Sequence, residues 1–311
     1  MSGADAVKKF KDLLESNETY KMTGEMEIIS NEESYHYNVE VDYKEGAYYK
    51  ASLLNKDNAH EQIILKNESG VYVINPSLNK SFKFQSDWPN NSSQAYILES
   101  LLKDIENDSN IIFEQQEETC TITSTVNYPN NSQLLSQKIT FDKDMMPKEV
   151  EVYNKEGIAN ITFKITSIDL DAKFEDDYFN IENSVCKDCT ANQTKETSSI
   201  DEVLYPMYLP SGTTFKSEET VKTEESERVI LTFAGDKSFI MIEETTNIPK
   251  EFEIESSSGE LVFYENILGG MTDTSLTWTM NGKDYYIIGK DLSNEELLKV
   301  ASSTQVVSSL K

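Results

Sequence analysis

Tyr35-His36-Tyr37-Asn38-Val39-Glu40-Val41-Asp42-Tyr43 is the stretch whose reading decides the fold. Tyr35, Tyr37, Val39, Val41 and Tyr43 alternate with His36, Asn38, Glu40 and Asp42 without a break, so one pleat face is apolar and the other polar. That pattern is a half-buried antiparallel strand. Its oily side and its unpaired backbone groups need neighbours, and similar segments lie on both sides.

Before it, Tyr20, Met22, Gly24, Met26 and Ile28 alternate with Lys21, Thr23, Glu25 and Glu27, and the turn Asn31-Glu32-Glu33 joins the two stretches into a hairpin. After it, Lys44-Glu45-Gly46 turns the chain into a strand over 47–54, and further strands follow at 60–66, 71–74 and 81–85. Asn75-Pro76 sets one of the reversals between them, because proline fixes a turn dihedral.

Two stretches break this period. Val7, Phe10, Leu13 and Leu14 fall at helical spacing in 5–15. Ala95, Leu98, Leu101, Leu102 and Ile105 do so in 93–106, with Ser92 or Ser93 as N-cap. Strands resume at 111–115, 120–128, 138–142, 148–153 and 160–170. The reading is one sheet-dominated domain over 4–183.

Residues 184–200 hold almost nothing to bury and read as a linker. A smaller domain follows over 201–311, with strands at 213–221, 228–233, 237–243, 250–255, 260–266, 275–280 and 284–289. Asn281-Gly282 is a hairpin signal, and Ser293-Asn294-Glu295-Glu296 is a capping box opening a last helix. The fold class is α+β, mainly antiparallel β.

With 55 acidic residues against 28 basic ones the formal charge is −27, and the only arginine is Arg228. A surface this anionic repels nucleic acid, so no nucleic-acid partner is expected. No run of about 18 apolar residues occurs, so nothing spans a membrane as a helix. The start, Met1-Ser2-Gly3, lacks the pattern of an export signal and reads as a replaced end before a mature chain.

Cys120, Cys186 and Cys189 make an odd count, which is no disulfide framework. Cys186-Lys187-Asp188-Cys189 admits a small local disulfide, two idle thiols, a metal site or redox chemistry. Cys120 shares a strand face with Ile122 and Val126 and reads as a small buried hydrophobe. A zinc site would need His36 or His60, both distant in sequence, so no metal is assigned.

The same two histidines leave little acid-base machinery. There is no nucleophile elbow, no phosphate-cradling glycine loop and no metalloprotease helix. No catalytic residue and no cofactor is assigned, and the chain reads as a non-enzyme. Binding is the better reading, because a broad oily sheet face under two short helices must either close on itself or receive a guest. Met22, Met26, Ile28, Tyr37, Val39, Val41, Leu98 and Leu101 are the candidate lining of that hollow. Exposed sheet edges also permit a protein partner or a strand-swapped dimer.

Gly70 to Phe82, Leu134 to Val150, Ile161 to Phe163, Phe174 and Tyr178 to Ile181 carry a turn and a hairpin in an order that resembles the LolA/LolB superfamily of lipoprotein carriers. Leu209-Pro210-Ser211-Gly212, Trp278, Asn281-Gly282, Tyr285 and Ser293 to Ala301 are similar to a module appended to LolA-like lipoproteins of Gram-positive spore formers, the YdcC-type sporulation proteins. The germination lipoprotein GerS is a relative without that module. The resemblance implies an incomplete curved β-barrel closed by helices, no enzymatic activity, and an extracytoplasmic protein held to the cell membrane by an N-terminal lipid anchor. It also implies an apolar ligand, an acyl chain or lipoprotein-like, or alternatively an envelope protein such as a cell-wall enzyme that this chain positions or regulates. The arginine that carriers place in the cavity has no counterpart, since Arg228 lies in the second domain.

Overall fold

The alternating stretches become the strands they predict. The computed structural model describes residues 1–30, 33–184, 199–223, 226–246, 248–249 and 251–306. It divides into two units, Met1–Tyr72 with Asp87–Ser184, and Val73–Ser86 with the described residues from 199 onward.

The first unit opens with α1 (Gly3–Glu15), then β1 (Thr19–Ser30), β2 (Glu33–Lys44), β3 (Tyr48–Asn55) and β4 (Glu61–Asn67). The division between the units falls inside β5 (Gly70–Asn75), and β6 (Lys80–Phe84) belongs to the second unit. The chain re-enters the first unit for α2 (Leu98–Asn107), β7 (Ile112–Gln115), β8 (Thr119–Thr125), β9 (Leu134–Asp142), β10 (Pro147–Asn154) and β11 (Ala159–Asp169). Within this unit the strands lie antiparallel in the order β4-β3-β2-β1-β11-β10-β9-β8-β7.

Register slips in the pairings of β1 with β11, β10 with β11 and β9 with β10 bend the sheet. At the first, Gly24 is a necessity, because a side chain there would run into the Phe163 ring. Beyond β4 the sheet continues into β5, and among the described residues β7 stands at its other edge with β8 as sole partner, so the sheet does not close on itself and is an incomplete curved barrel with helices over it. Phe10 of α1 packs edge-on against Phe141 of β9 at 5.0 Å, and Lys11 reaches Glu106 of α2 at 2.8 Å.

The second helix starts later than its apolar spacing predicts, at Leu98 and not near Ser93. Ser93 is not its cap because it is engaged elsewhere: its N–H donates to the Asn127 carbonyl at 2.8 Å, and its hydroxyl accepts from the Asn127 N–H at 2.7 Å. Ile97 stands at the N-cap without a side-chain hydrogen bond.

The outer face of the hairpin is not wholly wet. Phe174, Tyr178 and Phe179 pack tilted or edge-on against one another at 4.8 to 5.3 Å, and the Tyr178 hydroxyl donates to Asp42 at 2.6 Å. Asp42, which the alternation assigns to the polar face, is 1% exposed.

The second unit adds β12 (Leu204–Pro206), β13 (Thr213–Lys222), β14 (Glu227–Gly235), β15 (Phe239–Thr245), β16 (Glu253–Ser257), β17 (Glu260–Tyr264), β18 (Ile267–Thr272), β19 (Ser275–Met280) and β20 (Lys283–Ile288). It ends in α3 (Asn294–Ser302) and β21 (Thr304–Val306). Seven strands form an antiparallel sheet in the order β13-β14-β15-β20-β19-β18-β17, and β12 pairs with β21. The β6 strand pairs in parallel with β16, which is why residues 73–86 group with this unit.

Two local signals form as read. Asn281 and Gly282 have φ of 52° and 73° between β19 and β20, and Ser293 with Glu296 completes the capping box of α3. The stretch 260–266, read as one strand, is β17 with the start of the turn after it, and β17 pairs with a further strand to make a hairpin. The extra strand is β18, hidden by Gly269-Gly270, and glycine is required there because a side chain at 269 would strike the Thr277 carbonyl.

Cys120 is buried, with its sulfur 3.5 Å from that of Met145. Cys186, Cys189 and most of the linker lie outside the described residues.

Candidate functional site

The eight candidate lining residues are all buried, at 5% exposure or less. Six stand on one face of the β1–β2 hairpin, where Met22 lies opposite Val41, Met26 opposite Tyr37, and Val39 opposite Gly24. Ile28 ends this row, opposite Tyr35. Leu98 and Leu101 come from α2.

These residues do not make one compact site. Glu99 of α2 accepts the Tyr20 hydroxyl at 2.9 Å, so the helix lies at the Tyr20 end of the face. Ile28 is eight residues further along β1, roughly 26 Å at strand rise. The structure thus groups Met22, Val41 and the α2 leucines nearer the helix, and leaves Met26, Ile28 and Tyr37 toward the far end.

A polar feature that alternation and helical spacing did not flag sits at the helix end. Tyr20, Tyr43 and Tyr49 form a row, with ring centroids 5.0 Å apart at each step, and Tyr49 meets the Trp88 ring at 5.8 Å. Glu99 lies against this row. Burial pushes its carboxyl up to about 7, and the hydroxyls of Tyr20 and Tyr49 only partly offset that. Burial likewise raises Tyr43 to about 12, and it raises Tyr20 and Tyr49 further. One signal could have found Glu99: it is three residues before Leu102 and six before Ile105, on the flank of the apolar stripe of α2.

A second carboxyl on the same helix, Asp104, is 8% exposed. Burial pushes it up to about 6, against a hydrogen bond from Ser93 and the nearby charge of Lys103. A helix of ten residues therefore buries one carboxyl, half-buries a second, and lacks a side-chain cap. Such an arrangement donates and accepts hydrogen bonds inside an apolar face. It sets no nucleophile beside a base, and His36, 3.5 Å from Glu27 on the polar side of the hairpin, stands apart from it.

On the opposite, outer face of the sheet Asp42 is a further buried carboxylate. Burial raises it, while Tyr178 and the Lys21 ammonium at 3.5 Å pull the other way. Lys50 sits 4.7 Å from the Tyr178 ring centroid. This cluster fastens the segment around Tyr178 to the outer face and reads as structural.

Among the described residues no helix is long and apolar enough to cross a membrane. No family model matches the chain. Solved structures resemble it loosely. The LolA superfamily protein NE2245 from Nitrosomonas europaea is 9% identical with a TM-score of 0.34, over 58% of this chain and 99% of that one. The CwlD amidase from Clostridioides difficile in complex with the GerS lipoprotein gives 16% identity and a TM-score of 0.32, over 56% of this chain and 97% of that one. In sequence the chain is 38% identical to the sporulation protein YdcC of Bacillus subtilis over 293 residues, 94% of this chain and 87% of that protein. On that identity and coverage, the chain belongs to the family of the sporulation protein YdcC.

Proposed function

We propose that the chain is a non-catalytic, extracytoplasmic binding protein of sporulating cells, tethered by an N-terminal lipid anchor, whose first unit takes an acyl chain or similar apolar ligand between α2 and the β1–β2–β3 face. The observation that carries this is the weak seating of α2. It has no side-chain N-cap and it holds Glu99 and Asp104 in surroundings that oppose their charge. A helix so placed is the least stable cover of an oily face, and moving it presents Met22 and Val41 to a guest.

Native mass spectrometry tests this on the chain purified from a lipid-containing host, before and after addition of fatty acids or lipopeptides. An adduct of acyl-chain mass, weakened by Val41→Asp, is the expected result. A chain that stays empty in both conditions overturns the reading.

A second reading has its own observation. Among the described residues β13 ends its sheet and pairs only with β14, and it exposes nine of its ten residues, so its outer edge can accept an extended strand of an envelope protein or of a second copy. A photoreactive residue at Phe215, which is 48% exposed, tests it in sporulating cells. A single cross-linked envelope protein, or a cross-linked dimer, supports this reading, and no cross-link removes it.

A further inference from the structure

The seven-stranded sheet of the second unit has two faces, and its core lies on one of them. Val229, Leu231, Met241 and Ile287 point into the cluster that holds Leu297 and Leu298 of α3. The residues that alternate with them point the other way. There the register sets Ile230 opposite Ile242 and Ile242 opposite Tyr286, and beside that row Thr232 opposite Ile240 and Ile240 opposite Ile288. Ile288 is 43% exposed, and Ile230, Ile240, Ile242 and Tyr286 are half-buried. A charged row of Arg228, Glu244 and Asp284 runs alongside.

An open strand edge borders this apolar face. β16 pairs in parallel with β6 and, among the described residues, ends its sheet. The Glu253 N–H donates to the Asn79 carbonyl at 3.2 Å. Direction alternates along a parallel ladder, so Glu253, Glu255 and Ser257 turn their backbone groups to β6, while Ile254 and Ser256 turn theirs outward. A cavity of about 210 Å³ has Ser256 of this edge in its lining together with Tyr286 and Ser275, and Ser275 lies opposite Ile288. Edge and apolar face thus meet at one cavity.

Charge selects what can lie there. Lys80 reaches Glu255 at 3.3 Å and Asp284 at 4.0 Å, and Arg228 holds Glu244 at 2.8 Å. Glu253 at the start of β16 and Glu219, opposite Ile230, carry no ion pair among the described residues. A second copy set antiparallel along β16 about its middle residue would bring Glu255 against its own counterpart, and like charges directly opposite are destabilising. A cationic strand meets no such cost.

We infer that this face binds an extended segment of another protein, with alternating aliphatic residues flanked by lysine or arginine, added as a strand to the free edge of β16. Its backbone pairs with Ile254 and Ser256, its aliphatic side chains rest on the isoleucines and Tyr286, and its flanking cations answer Glu253 and Glu219. The surface is separate from the half-barrel and from the β13 edge, and it stands or falls without them.

The test is fluorescence anisotropy of the labelled heptapeptide Lys-Ile-Thr-Ile-Thr-Ile-Lys titrated with the full chain. Saturable binding is expected. Exchanging both lysines for glutamate, or N-methylating the central residues, is expected to weaken it about tenfold, on the scale of one hydrogen bond or ion pair. Ser256→Pro removes an outward N–H and no bond to β6, and Ile288→Lys puts a cation on the exposed face. Each is expected to weaken binding about tenfold. Should Ser256→Pro not fold, the N-methylated peptide removes the same hydrogen bonds from the partner's side. No saturation by about 0.5 mM chain overturns the inference. So does equal binding of the lysine and glutamate peptides, or binding that survives both variants, and neither result bears on β13. A dimer that Ile288→Lys dissolves also overturns it, because the face then belongs to a second copy.

Discussion

Tyr20 of β1 donates its phenolic hydrogen to the Glu99 carboxylate of α2 at 2.9 Å, and so joins the lid helix to the oily face of the hairpin. With Glu99 held near 7 against an ordinary value of 4.5, the folded protein keeps a proton that the unfolded chain releases. Between about pH 4.5 and 7 stability therefore falls as pH rises, and above 7 the loss is complete. Glu99→Gln removes the loss. Urea denaturation is expected to show the variant about 2 kcal/mol more stable at pH 8, a figure reduced for partial exposure, and nearly unchanged at pH 4. Equal midpoints at both pH values would show that Glu99 is solvated.

Asp104 adds a lower step with the same sign, because burial holds it near 6 against 3.8. Asp104→Asn is expected to flatten the stability profile mostly between pH 4 and 6, leaving the upper part to Glu99. A profile measured at half-unit steps separates the two, and a variant that flattens the upper part would reverse the assignment.

Removing the Tyr178 hydroxyl leaves Asp42 buried with less to hold its charge. Tyr178→Phe is expected to destabilise by about 2 kcal/mol at pH 7, the range for a buried charged acceptor that loses a donor. The effect should shrink toward pH 3, where the carboxyl is protonated. Denaturant midpoints at the two pH values check it, and a pH-independent change would point to lost packing and away from Asp42.

Two glycines in the second unit contrast two kinds of constraint. Gly269→Ala drives a methyl into the Thr277 carbonyl and is expected to cost about 3 kcal/mol. Gly282→Ala meets nothing within 4 Å and pays only for a φ of 73°, about 1 kcal/mol. Thermal unfolding of both variants ranks them, and the reverse order would contradict the close approach of β18 and β19.

Ser293→Ala breaks the capping box of α3, where the Ser293 hydroxyl accepts from the Glu296 N–H at 3.3 Å. A loss of about 1 kcal/mol is expected. It should appear in the urea midpoint with no change in slope.

Most of this architecture was written locally in the chain. The unbroken alternation of 20–28 and 35–43 fixed which side of the hairpin is buried, because a one-residue slip would put Met22 and Val41 in water. Asn281-Gly282 and Ser293 are equally local, since each works through its own backbone angles or its own first turn. What escaped depends on distant partners. Ser93 looks like a cap until Asn127 takes both its backbone and its hydroxyl. Gly269-Gly270 looks like a break until Thr277 shows why nothing larger fits. Glu99 looks solvated until the tyrosines of β1 and β3 close around it. The close approach of Phe84 to Gly270 is less legible still, because the two lie nearly two hundred positions apart in the chain.

The parallel pairing of β6 with β16 also bears on how the protein is made. A nascent chain that has emerged only as far as residue 200 carries β6 while the strand that will lie beside it is still untranslated. Until Ser257 leaves the ribosome, that stretch has an open hydrogen-bonding edge available to chaperones or to a neighbouring nascent chain. Severing the gene at the linker would make this transient exposure permanent in one fragment, and would leave the other fragment without the strand it needs to finish its fold.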